Sequence, residues 1–193
     1  LRIEAVEDLV TVFEDGVNVV HLSRSCPEHL ATSARRLTRS GPRTWAGVFR
    51  GAASEKHRLN DWTDDAKLSE DVLFWREALA DLVGARTVGV RLAVLESAMC
   101  PRMHVDRVPL RLVITYAGHG TEYLNEPLDA AVGGSPIESR LTSPFAFVES
   151  AAPADVLLLK GEAWHGNRGR GAVHRSPDAS RFERRLVLTL DPL

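Results

Sequence analysis

In 193 residues this sequence carries two cysteines, two tyrosines, two methionines and three lysines. Cys26 and Cys100 are too few for a disulfide framework and lack zinc-finger spacing, so a reducing, cytoplasmic setting is expected. No apolar run approaches the ~20 residues of a membrane span. No charged start leads into an apolar stretch either, so neither an anchor nor a leader is expected. The chain opens on Leu1 rather than Met, and a preceding segment is expected. The formal net charge is only −2, without the basic excess of nucleic-acid or membrane-surface proteins. Aromatic residues are scarce too. Near Arg168, Arg170, Arg175, Arg181, Arg184 and Arg185 stand only Trp164 and Phe182, which is poor provision for stacking bases. Nearly all the basic residues are arginine, for which GC-rich coding is a sufficient cause. There is no internal repeat and no low-complexity tract.

What is present suits one domain over 1–193, with ample chain for a core. Its first part, 1–85, reads as mainly helical. Val6, Leu9, Val10 and Phe13 suggest a short helix ending at Gly16, and Val17–Leu22 a strand. Ser25 or Cys26 at the cap, with Pro27 in the first turn, opens a helix to about Thr38. Residues 41–66 read as a connector with two packing tryptophans, Trp45 and Trp62. The clearest helix is 70–83, with Ser69 as N-cap, Gly84 just past the end, and Leu68, Val72, Trp75, Leu79 and Leu82 on one face.

From residue 86 the period changes to two. Val88, Val90, Leu92 and Val94 form one alternating run, and Val108, Leu110, Leu112, Ile114 and Tyr116 another. Shorter strands are expected at Glu122–Leu124, Phe145–Glu149, Val156–Lys160, Ala172–His174 and Arg185–Leu190. Residues 125–144, rich in proline and glycine, read as a loop or lid. Many short strands with Gly/Pro turns point to a sandwich or jelly roll over 86–193. The predicted fold is α+β, with N-terminal helices packed on a double-stranded β-helix, a jelly-roll or cupin-like core.

The chemistry gathers at Cys100-Pro101-Arg102-Met103-His104-Val105-Asp106. In an extended chain His104 and Asp106 project to the same side. Two histidines and one carboxylate with open positions suit non-haem iron. The best third ligand is His174, in Gly171-Ala172-Val173-His174-Arg175-Ser176-Pro177. His165 in Trp164-His165-Gly166-Asn167 is its rival on a less rigid loop, and His119 between two glycines is a weaker one. Adding Cys100 to His104, Asp106 and His174 makes a zinc site the alternative. Without a metal, His104 and Asp106 reduce to a hydrogen-bonded pair on a strand. His21, His29 and His57 read as ordinary surface or helix residues.

This pattern resembles the 2-oxoglutarate/Fe(II) oxygenase superfamily: H-x-D, a distal histidine, and an arginine some ten residues later. The likeness covers residues 88–191. It implies Fe(II) held by His104, Asp106 and His174, and 2-oxoglutarate as cosubstrate. The far carboxylate of 2-oxoglutarate would be gripped by Arg185, or by its neighbour Arg184. On that register Arg185 and Thr189 point inward while Leu186, Leu188 and Leu190 pack outward. Tyr116 is a candidate hydrogen-bond partner of the cosubstrate. Cys-Pro-Arg-x-His-x-Asp, with Gly-Arg-Gly-x-Val-His-Arg-Ser-Pro near the end, also resembles a bacterial family of unknown function, domain of unknown function 1826. That likeness covers most of the chain and implies no activity. The function expected is a hydroxylase-type oxygenase acting on a small molecule or a peptide, with a non-catalytic zinc- or iron-binding jelly roll as the alternative. No nucleic-acid or membrane partner is expected. Substrate and oligomeric state are left open by the sequence.

Overall fold

The structure is a computed structural model that describes residues 1–50, 53–126, 136–177 and 183–193. Ten strands and four α-helices run in the order β1 (Arg2–Ile3), β2 (Val19–Leu22), α1 (Glu28–Arg39), β3 (Arg43–Phe49), α2 (Ala53–Thr63), α3 (Ala66–Val83), β4 (Val88–Leu95), β5 (Leu110–Ala117), β6 (Glu122–Asn125), α4 (Ile137–Leu141), β7 (Phe147–Ser150), β8 (Val156–Lys160), β9 (His174–Arg175) and β10 (Arg185–Pro192). A 3₁₀ helix, Val6–Phe13, lies between β1 and β2. Seven strands form a mixed sheet in the order β1-β2-β8-β5-β10-β4-β3, and three form a smaller sheet, β7-β6-β9. Among the described residues no helix is long and apolar enough to cross a membrane.

Side-chain alternation gives the large sheet two unlike faces. Leu110, Leu112, Ile114 and Tyr116 of β5, with Leu186, Leu188 and Leu190 of β10, pack with Leu30 and Leu37 of α1 and Leu68, Val72, Trp75 and Leu79 of α3. Val113, Leu157, Leu159 and Val187 face the other way, in a second cluster with Tyr123 of the small sheet. The helices therefore cover one face, and the other is left for the small sheet and a cleft.

Several expectations are corrected. The first helix is 3₁₀, so residues three apart align: Leu9 and Val12 are buried while Val10 and Phe13 are exposed. Pro27 itself caps α1, with no side-chain cap from Ser25 or Cys26. Residues 41–66 hold a strand and a helix. β3 is an edge strand that buries only Trp45 and Phe49, and α2 is polar apart from Leu59 and Trp62, so neither carries a full periodic signal. α3 starts four residues before the expected point. Its cap is Asp65, which accepts from the Leu68 amide at 2.9 Å. Ser69 lies inside the helix, buried against the Thr63 hydroxyl. Gly84 ends α3 in the left-handed region, φ 65°, as expected. The 125–144 stretch contains α4, while its residues 127–135 lie outside the described residues, as do Arg181 and Phe182.

His21 is not on the surface. It is 1 % exposed and bonded to the Tyr123 hydroxyl (2.8 Å) and the Asp155 carboxylate (2.7 Å). Tyr123 in turn donates to Glu149 (2.7 Å), which also accepts from Asn125 and Arg2. Burial acts to raise the Glu149 ionisation, but donors from Asn125, Tyr123 and Arg2 outweigh it and hold the carboxyl at about 2. A depressed carboxylate contributes stability that is present above its unfolded value, near 4.5, and lost as pH falls toward about 2. Chemical denaturation across that window is expected to show stability declining with acid. In Glu149→Gln the decline is shallower.

Candidate metal and anion site

The loop before β5 and the short strand β9 meet in a single antiparallel bridge, His104 to His174. Each residue's amide donates to the other's carbonyl at 3.0 Å. A separation of 70 positions in sequence, 104 to 174, is thereby closed to one backbone pair. The imidazole centroids stand 4.4 Å apart, tilted by 48°. Asp106 completes the group: its carboxylate lies 3.3 Å from His174 Nε2 and 3.7 Å from His104 Nε2. One ligand atom from each of the three residues lies within 4.8 Å of the others, and these are the only residues in that group among the described ones.

The tautomers are set by the backbone. His104 Nδ1 lies 3.0 Å from the Arg102 carbonyl, and His174 Nδ1 3.0 Å from the Ala172 carbonyl. A carbonyl only accepts, so each Nδ1 carries a proton and Nε2 is the atom each ring turns toward Asp106. Burial, and then the proximity of His174, push the His104 ionisation down, which favours the neutral form that binds metal. Burial works to raise Asp106, but its contacts with His174, Arg111 and His104 prevail and hold it at about 2. It is therefore a full anion at neutral pH. Arg111 of β5 orients it, donating to Asp106 at 2.7 Å while its other nitrogens grip Asp191 at 2.7 and 2.9 Å. Sequence reading missed Arg111. Its signal was there: it shares the parity of Val113, opposite to the leucines of β5.

The triad opens into a cleft whose walls are Ala93, Leu95, Val113 and Val187, with Arg185 and Thr189 on β10. Arg185 is 2 % exposed. Its guanidinium donates to the His119 carbonyl (2.6 Å) and to the hydroxyls of Thr115 (3.0 Å) and Thr121 (3.3 Å). Among the described residues no carboxylate pairs with it. Burial lowers its ionisation to about 10, with the nearby Glu122 carboxylate acting the other way, so it stays a charged cation at neutral pH.

The other candidates separate clearly. Thr189 lines the cleft and is nearly buried. Arg184 lies on the helix side, reaching the Thr38 carbonyl (3.3 Å) and Glu96 (3.6 Å), because adjacent strand residues face opposite ways. Tyr116 is corrected for the same reason: it is buried against the helices and donates to Asp71 at 2.7 Å, away from the cleft. Cys100 lines the cleft mouth and is exposed, outside the triad, so the four-ligand zinc arrangement does not form among these residues. His165 is exposed on its turn, and His119 presents only its carbonyl to Arg185.

Gly161 shows how tightly the triad's backbone is held. A Cβ there would sit 2.0 Å from the Val108 carbonyl oxygen and 2.7 Å from that of Asp106. Gly161→Ala therefore forces apart the loop that carries Asp106. The expected cost is about 1–3 kcal/mol, as for overpacking elsewhere. Thermal denaturation should show a melting temperature several degrees lower, and iron affinity should fall with it.

Comparison with solved structures places this fold. A prolyl-4-hydroxylase from Pseudomonas putida matches with a TM-score of 0.50 at 12% identity, over 97% of this chain and 98% of that one. A protein of the 2OG-Fe(II) oxygenase family from Caulobacter crescentus matches with 0.51 at 13%, over 97% and 80%. The Fe(II)/α-ketoglutarate-dependent dioxygenase TqaL matches with 0.50 at 12%, over 96% and 86%. The chain thus shares the fold of these proteins. It belongs to the family described as protein of unknown function (DUF1826), whose family model matches residues 4–191. Among curated proteins none matches.

Proposed function

We propose that this protein is a non-haem Fe(II)/2-oxoglutarate-dependent oxygenase of the hydroxylase type. In this reading residues 1–193 form one domain, a jelly roll with the N-terminal helices on one face. The observation that carries the reading is Arg185. A buried guanidinium that no carboxylate contacts among the described residues stands in the cleft lined by His104 and His174, whose ligand atoms converge with that of Asp106. Leaving a cation in that state costs stability unless an anion arrives to complete it.

The donor set fits iron: two imidazoles that each turn Nε2 inward and one carboxylate, a two-histidine, one-carboxylate set of the kind that suits non-haem iron. His104, Asp106 and His174 would hold the metal, and Arg111 keeps the carboxylate aimed. When bound, Fe(II) with a 2-oxo acid supplies dioxygen activation coupled to oxidative decarboxylation. Arg185 presents a planar fork to the far carboxylate of 2-oxoglutarate, with Thr115, Thr121 and Thr189 beside it. Ala93, Leu95, Val113 and Val187 keep the cleft walls dry, which strengthens that ion pair and shields the reaction from water.

The test is an anaerobic titration of metal-free protein with Fe(II) and 2-oxoglutarate. The expected result is the weak visible charge-transfer band of a chelated complex, followed by succinate formation when oxygen is admitted. Iron binding without the band would favour a non-catalytic metal protein. Absence of both would make the triad a structural hydrogen-bonded cluster.

A further inference from the structure

Four arginines line the cleft: Arg91, Arg111, Arg175 and Arg185. Two are neutralised within the fold. Arg111 is held by Asp106 and Asp191, and Arg175 donates to Glu122 at 2.7 Å. Arg185 is the buried cation already described, whose direct partners are all uncharged. Arg91 is the second: among the described residues no carboxylate pairs with it, and it is only partly exposed.

Its place in the sheet is informative. Arg91 lies on β4 directly opposite Thr189 of β10 and Ala46 of β3. Arg185 lies four residues along β10 from Thr189. At the ~3.3 Å rise of a strand the two cationic positions start about 13 Å apart. At that separation an anion at Arg91 and a 2-oxoglutarate at Arg185 have room for separate seats. Arg91 also stands where the cleft continues into an outer groove. Cleft and groove share Arg91, Met99, Arg111 and Thr189, and the groove runs over Gly47 and Gly89 to the edge strand β3. Gly89, on the same side of β4 as Arg91, puts no side chain into it. Across the sheet Arg91 is followed by Thr189 and then Val113, two residues from Arg111, the partner of Asp106.

We infer that Arg91 is the seat for an oxyanion of the substrate, a carboxylate or phosphate carried on an apolar body that enters along the β3 edge. This deepens the oxygenase reading and rests on it for the word substrate. The anion seat itself rests on the arrangement of Arg91 in the groove. An anion at Arg91 with its apolar part directed across Thr189 and over Val113 brings carbon–hydrogen bonds toward the triad and leaves Arg185 to the cosubstrate.

The test uses the full chain, anaerobic, with Fe(II) and saturating 2-oxoglutarate, and three probes matched in body: hexanoate, hexyl phosphate and neutral hexanamide. Calorimetry is expected to give saturable binding of at least one anion, about tenfold or more tighter than the amide, as for a partly desolvated charge pair. Which anion wins separates a carboxylate from a phosphate substrate. Arg91→Gln should abolish the preference over the amide, and Arg91→Lys should keep part of it, which also guards against a folding defect. Equal binding of acid and amide, no binding of either anion, a preference untouched by Arg91→Gln, or displacement of 2-oxoglutarate by the probe would each overturn the inference. If 2-oxoglutarate itself fails to bind while Arg91 still selects the anions, the seat stands and the oxygenase reading falls.

Discussion

His174→Ala is expected to abolish stoichiometric Fe(II) binding while leaving the fold in place. The side chain is 6 % exposed, and its Nδ1 is bonded to the Ala172 carbonyl, so its Nε2 is presented to Asp106 in one orientation. Such pre-orientation is what makes a ligand strong, because little conformational freedom is lost on binding. Removing an outer-shell partner of a metal costs about 10–100-fold in affinity, and removing a ligand of a three-ligand site should exceed that. The fold is expected to survive because the bridge to His104 and the pairing of β9 with β6 use backbone groups only. Iron titration of the variant, with circular dichroism for the fold, measures both. Unchanged iron affinity would place the metal elsewhere and remove the triad from the function. The same loss in Asp106→Ala, beside a milder loss in Arg111→Gln, would separate ligand from orienting residue.

Much of this site was legible because it depends on parity and polarity. His-x-Asp on extended chain, and Arg185 and Thr189 alternating with three leucines, are period-two statements that survive without a structure. The same rule, carried through, excludes Tyr116: it shares its parity with Leu110, Leu112 and Ile114 and must face the helices with them. Arg184 fails on the same ground beside Arg185. What the sequence could not show is partnership across distance. Arg111 becomes an orienting residue only because β5 lies beside β10 and so beside Asp191. His21 became a core residue because β6 and β8 bring Tyr123 and the loop of Asp155 to it. β3 and α2 were missed because an edge strand and a polar helix bury too few residues to print a period. The position of Gly161 against two carbonyls was invisible for a related reason, since only the closed backbone makes that glycine necessary.

Arg185→Gln is expected to weaken 2-oxoglutarate binding by about 30-fold or more while leaving Fe(II) affinity nearly unchanged. The argument turns on what the guanidinium lacks. It has three hydrogen-bond partners, all uncharged: one carbonyl and two hydroxyls. Those bonds fix the fork in place but do not offset the charge, and burial already drags its ionisation down to about 10. An incoming carboxylate supplies the missing counter-charge in a dry cleft, where truncating one partner of such a pair costs roughly 2–5 kcal/mol, or about 30- to several-thousand-fold. Glutamine ends where the arginine Nε stands, in reach of the His119 carbonyl but short of Thr115 and Thr121, so the charge and the fork are lost together. Arg185→Lys should recover only part of the affinity, since a single ammonium cannot reproduce the fork. The readout is the charge-transfer band as a function of 2-oxoglutarate at fixed Fe(II), with iron affinity measured separately. A variant that lost both together would point to a collapsed cleft. One that lost neither would show that the buried cation serves the fold, and the cosubstrate would have to be sought at another arginine of the same cleft.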